Sequence, residues 1–179
     1  MSKVLSYSEP VLFSALQKAL GALVREDSEA LSWPKPKPNI AHRLALHLDT
    51  ACKDLPDYPA TMQVDILTHQ SDIIIHDRSG AVLLRILLST TYLTQSQQAH
   101  LISFAEKEEA NLVMGIAFLK ETGYFLLYHP RREVMDYYHY RKHSGQVKLL
   151  RERSSSDEDG QLLLGIQKRR RRKPVTTDR

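Results

Sequence analysis

Asp72 stands at the head of a short apolar run, "DIIIHD", and thirteen residues later Arg85 is the single charge inside a second run, "AVLLRILLS". Two neighbouring strands with polar groups along one edge can support metal-dependent hydrolysis. A carboxylate at the start of one strand and another in the middle of the next would hold Mg²⁺, which prefers carboxylate and water oxygens. Here the middle of the second run offers a fixed cation, Arg85, and two residues on an apolar side chain, Leu87. An arginine cannot lose its charge and repels a divalent cation. Unpaired, Asp72 would be a costly buried charge, so the expected partner of its carboxylate is Arg85 across the two strands.

Three other groups of residues bear on function. The segment "AEKEEA" carries Glu106, Lys107, Glu108 and Glu109, which read either as a solvated helix end or as carboxylates replacing a missing metal ligand. Residues 129–143, "HPRREVMDYYHYRKH", interleave Arg131, Arg132, Arg141 and Lys142 with Tyr137, Tyr138 and Tyr140. Cations among aromatic rings suit phosphates and stacked bases, with Tyr138 the aromatic candidate, and they equally suit an edge strand with a polar face. Finally Lys168, Arg169, Arg170, Arg171, Arg172 and Lys173 form an unbroken cationic run that would hold any polyanion, with affinity falling steeply as salt rises. Histidines are scattered. His42 and His47 are five apart on one helix, outside the spacing of a zinc pair, and His69 and His76 lie near strand ends.

Bulk properties narrow the classes. The net charge of +4 is unevenly spread: residues 168–179 carry +6, which leaves the other 167 residues close to neutral at about −2. With 42% apolar residues the chain can bury a core. The single cysteine, Cys52, excludes an internal disulfide or a multi-cysteine zinc site and reads as a buried thiol. No stretch reaches the roughly 18 apolar residues of a membrane span, and the N-terminal residues lack the pattern of a secretory signal, so the expected location is cytoplasmic and no membrane partner is expected.

Elements follow from the periodicities. Residues 11–24 place apolar side chains at 11, 12, 15, 16, 19, 20, 23 and 24, which predicts a helix with one wide stripe. "SWPKPKPN" has prolines at alternate positions and is expected to be extended up to Asn39, which would cap a helix over "IAHRLALHLDTACKD". Strands are expected in "ATMQVDILTHQ", "DIIIHD", "AVLLRILLS", "NLVMGIAFL" and "GYFLLYHP", and Thr94 with Gln97 forms a capping box for a helix over 95–110. This order predicts one α/β domain, a mixed central sheet flanked by helices in which the 95–110 crossover produces a parallel strand pair. The domain is expected to occupy residues 1–150 with its core over about 10–130; 151–179 would be an acidic loop and a basic C-terminal tail.

The segments "NIAHRLALHLD", "SDIIIHDRSGAVLLRILLS" and "ANLVMGIAFLKETGYFLLYHP" resemble the PD-(D/E)XK nuclease-like superfamily, in particular its small bacterial members. The resemblance covers roughly residues 10–130 and implies a restriction-endonuclease-like core. It places the motif's aspartate at Asp72, its glutamate position at Arg85 and its lysine position at Leu87, with Ser71 where proline is usual. The helix-borne glutamate found in some members has no counterpart, since residues 35–39 read Lys-Pro-Lys-Pro-Asn. The metal and the lysine of that motif polarise the phosphate and generate the attacking water. With three of the four elements changed, the resemblance implies a retained fold without the site: no cofactor, and a nucleic-acid-binding, structural or regulatory role. The alternative is a divergent Mg²⁺-dependent nuclease using Asp72 with Glu106 and Glu109. A third possibility is a protein–protein adaptor pairing through a sheet edge, or a homodimer.

Overall fold

The computed structural model describes residues 7–33, 36–58, 60–68, 71–77, 80–107, 110–131 and 134–154. Two long helices open it: α1, Glu9–Glu26, and α2, Pro36–Lys53, linked through a short 3₁₀ turn at Ser28–Leu31. The strands are β1, Gln63–Ile66; β2, Ile73–His76; and β3, Val82–Ser89. After helix α3, Gln95–Glu106, come β4, Leu112–Ala117; β5, Tyr124–Arg131; β6, Val134–Arg141; and β7, Val147–Ser154. All seven strands form one mixed sheet in sequence order. Only β3 and β4 are parallel, with Leu84 opposite Leu112 and Leu88 opposite Ile116. A parallel pair needs a crossover, and α3 supplies it.

The α1 stripe falls where the periodicity places it: Leu12, Leu16, Leu20 and Leu23 are all buried. Helix α2 begins earlier than expected. Pro36 and Pro38 lie in its first turn, so the extended connector does not run to Asn39. The first N–H groups of a helix have no intrahelical acceptor, so a proline there forfeits nothing and its fixed φ already suits the helix. Its inward face is Ile40, Leu44, Leu48 and Cys52. Cys52 is a core residue whose thiol burial pushes up to about 11, which makes it unreactive in the folded protein.

The sheet has two unlike faces. Against α1 and α2 it presents Ile73, Ile75, Ile86, Leu88, Met114 and Phe125 in the larger core cluster. Against α3 it presents Val113, Ala117, Leu126 and Tyr128, which close over Leu101 and Phe104. The capping box at Thr94 is formed: its hydroxyl accepts the Gln97 N–H at 3.3 Å and the Gln97 side chain accepts the Thr94 N–H at 2.9 Å. β1 is shorter and more exposed than its alternating sequence implies, because Leu67 turns into the left-handed region at φ 53° and ends it. Residues 134–154, where the sequence shows only an amphipathic basic pattern, add the β6–β7 hairpin around Gly145 at φ 65°. No helix of the described residues is long and apolar enough to cross a membrane.

Candidate functional site

Asp72 sits at a bend just before β2, level with the C-terminal half of β3. Its N–H donates to Ile86 O at 2.9 Å and its carbonyl accepts the Leu67 N–H at 2.8 Å. The side chain is fully engaged as well. Oδ2 accepts the Leu88 N–H at 2.7 Å, and Oδ1 lies 2.9 Å from Lys37 Nζ in the first turn of α2. Asp72 is 8% exposed, so both oxygens are bonded with little access to water. The preceding loop is tied by Thr68, whose hydroxyl donates to Ser71 O at 2.8 Å and accepts the Ser71 N–H at 3.1 Å.

Arg85 does not pair with Asp72, contrary to the expectation from sequence. It sits opposite Ile74 in the register and faces α3, where its guanidinium lies 4.6 Å from the Phe104 ring centroid and Nη1 donates to Ser71 Oγ at 3.4 Å. The bend at residues 71–72 removes Asp72 from strand alternation and turns its carboxylate toward α2, so the two charges are directed to different helices. Leu87 is half-buried in the α3 cluster. Lys37 from α2 thus neutralises Asp72, while Arg85 on β3 is directed to the α3 side of the sheet.

Glu106 is exposed at the C-terminal end of α3. That helix crosses back to the start of β4, so Glu106 and Asp72 lie toward opposite ends of the parallel β3–β4 pair. Glu108 and Glu109 lie outside the described residues. No group of three His, Cys, Asp or Glu side chains placed to hold a metal occurs among the described residues.

The cationic and aromatic residues of 129–143 divide between the two faces of β6. Arg131 is held by Glu9 at 3.2 Å and Asp136 at 3.2 Å. The Tyr138 ring packs 5.4 Å from Phe13 and its hydroxyl donates to Asp136 at 3.4 Å. Lys142 donates to Leu119 O at 2.7 Å and Thr122 O at 2.6 Å, closing the β4–β5 turn. Those three, expected at a nucleic-acid surface, each have partners within the fold. Arg141 is exposed; Arg132 and residues 168–173 lie outside the described residues. His129, buried 3.5 Å from Glu9, was not legible as part of this cluster, because its partner lies 120 positions away. Burial holds its pKa below the ordinary histidine value, assisted by Arg131 and opposed by Glu9 and Asp136.

His47 and His76 have structural partners, and His42 is exposed. His47 shares Asp27 with Arg43, at 2.7 and 3.4 Å. His76 is bonded to Asp65 at 2.9 Å and to the Asp77 carbonyl at 2.9 Å, while His69 lies outside the described residues. The Asp65 bond raises the His76 pKa, with the Asp77 carbonyl adding to it. A raised histidine contributes stability that is complete below the ordinary value of 6.5 and lost as pH rises through the raised value. Urea titrations of His76→Gln should therefore show their largest deficit against wild type below pH 6.5 and a shrinking one as pH rises above it. A deficit independent of pH would mean that His76 acts through packing alone.

The α3-side face of the β5–β7 hairpins completes the picture. Register places Arg141 opposite Tyr124, His139 opposite Leu126, and Lys148 opposite His139, so these side chains share one face. The Tyr124 and His139 rings stack at 3.8 Å between centroids. Tyr137 stands beside them, its ring edge-on to Tyr128 at 5.4 Å and its hydroxyl donating to Gln98 at 3.1 Å. No family model, curated protein or solved structure matches the chain.

Proposed function

We propose that this chain is a PD-(D/E)XK-like domain that has lost its hydrolytic site and serves as a nucleic-acid-binding or structural subunit. The observation that carries the reading is the state of Asp72, with both oxygens bonded to Leu88 N–H and Lys37 and with Arg85 where a second metal-binding carboxylate would stand. The succession α2-β1-β2-β3-α3-β4, with β3 and β4 parallel, supports a restriction-endonuclease-like core, because it brings Asp72, at the head of β2, beside the strand that carries Arg85, as the resemblance implies. The cationic run at 168–173 and the exposed Arg141 and Lys148 support a polyanionic partner.

Charge explains why hydrolysis is the weaker reading. Mg²⁺ would need Asp72 released from Lys37, and Arg85 lies on the adjacent strand with a charge that cannot be removed by deprotonation. The test is a cleavage and gel-shift series on single- and double-stranded DNA and RNA with Mg²⁺, Mn²⁺ and EDTA, using wild type and Asp72→Ala. The expected result is binding that weakens with salt, with no metal-dependent cleavage by either protein. Cleavage that requires metal and disappears in Asp72→Ala would establish a divergent nuclease. If neither binding nor cleavage is seen, the nucleic-acid half of the reading is overturned in favour of a structural role with a protein partner.

A further inference from the structure

Helix α3 covers the second face of the sheet over β4 and β5, and it meets β6 through Gln98 and Tyr137. Beyond that line Tyr124, Tyr137 and His139 remain half-buried, while Arg141 and Lys148 are exposed. Over β5–β7 this face carries, among the described side chains, Tyr124, Leu126, Tyr128 and Pro130 of β5, Met135, Tyr137, His139 and Arg141 of β6, and Lys148 of β7. None is acidic. Asp136, the one carboxylate in β6, points to the other face and is 2% exposed.

We infer that this face is a binding platform for a single-stranded polynucleotide, with unpaired bases stacking on Tyr124, Tyr137 and His139 and phosphates meeting Arg141 and Lys148. The inference rests on the nucleic-acid reading above and supplies its surface and its substrate class. Alternate residues of β6 are about 6.8 Å apart, so Tyr137, His139 and Arg141 offer ring, ring and cation in a line along an extended strand. The Tyr124–His139 stack is already assembled, so little ordering is needed when a base joins it. Burial, with Arg141 and Lys148 beside it, lowers the His139 pKa from its ordinary value. A duplex would offer only phosphates to these residues, because its bases face one another, whereas an unpaired strand offers both contacts.

The test is a fluorescence anisotropy titration of the full chain with labelled 15-nucleotide dT and rU strands and with a 15-base-pair duplex, across a salt series. The two single strands separate a DNA from an RNA preference. Single strands should bind at least tenfold more tightly than duplex. His139→Ala should weaken that binding at least fivefold, while His139→Phe, which keeps a flat ring, should restore it. Because Arg141 and Lys148 are exposed, the Arg141→Gln/Lys148→Gln double variant tests the phosphate contacts without disturbing the core. It should lower the log–log salt slope for single strands by about 1.4. Far-UV circular dichroism and the urea midpoint of each variant establish that it is folded.

If strands bind equally well to all these variants and binding is lost when the six cations 168–173 are replaced by glutamine, the platform is overturned and the tail is the binding element. Equal affinity for duplex and single strand also overturns it. No binding by any form removes both this inference and the nucleic-acid reading.

Discussion

Asp72→Ala should lower the unfolding free energy by about 2–3 kcal/mol, seen as a fall in the urea midpoint with little change in slope, while leaving nucleic-acid binding unchanged. The substitution leaves the Leu88 N–H without its 2.7 Å acceptor inside the sheet, and an unsatisfied buried donor costs about 1–3 kcal/mol. It also releases Lys37, but that contribution is small, since the Lys37 side chain is 39% exposed and water screens its pairing. Lys37→Ala should accordingly cost less than about 1 kcal/mol. Asp72→Asn should fall between the two, because an amide oxygen can still accept from Leu88. A carboxylate kept for metal chemistry would behave in the opposite way. Its removal would abolish a metal-dependent activity and leave stability nearly unchanged or improved, since metal ligands repel one another without their ion. The urea midpoint and the cleavage assay together decide which role Asp72 has.

Gly115→Ala should be comparably damaging, at about 2–3 kcal/mol, through overpacking. Gly115 lies in β4 beneath α3, and a Cβ built there would stand 2.6 Å from Leu101 Cδ1, 2.9 Å from Leu93 Cδ1 and 3.1 Å from Tyr128 Cβ. Leucine methyl groups can normally move aside. Here Leu101 is 1% and Leu93 4% exposed, and Tyr128 Cβ is anchored to β5, so neither leucine has free volume to enter. Tyr128 is also fixed by its hydroxyl, which accepts the Leu93 N–H at 3.2 Å. The loss should appear as reduced stability with the circular dichroism spectrum preserved, and Leu101→Ala in the same chain should recover part of it by vacating the space. A Gly115→Ala variant as stable as wild type would mean that α3 is free to lift from the sheet, and would contradict the packing described here.

Parts of this architecture were legible in the sequence for definite reasons. The α1 stripe repeats at helical spacing, so its buried side was readable without any knowledge of what covers it. The Thr94–Gln97 box states a helix start in two residues, and a helix between apolar runs entails a parallel pair, which β3 and β4 supply. The α2 start was missed because proline is forbidden in a helix interior yet favoured in its first turn, and local sequence did not separate those cases at residues 36–38. The β6–β7 hairpin was concealed because its cations and tyrosines alternate between faces that are both partly polar, which leaves no clean apolar period to read.

The site divides in the same manner. From sequence alone, the apolar runs headed by Asp72 and centred on Arg85 and Leu87 could be read as neighbouring strands, because residue type and spacing are local properties. The partners of those charges were decided only by the tertiary structure. Lys37 reaches Asp72 from a helix 35 positions earlier, Arg85 turns to Phe104, and Glu9 finds His129 and Arg131 across the width of the domain. Tyr138 and Lys142 became internal supports while His139 and Lys148 came to share an open face, since strand parity and the reach of α3 set which side is covered. An ionisable side chain takes the partner that backbone geometry brings within a few ångströms, and that proximity between distant positions is created by folding.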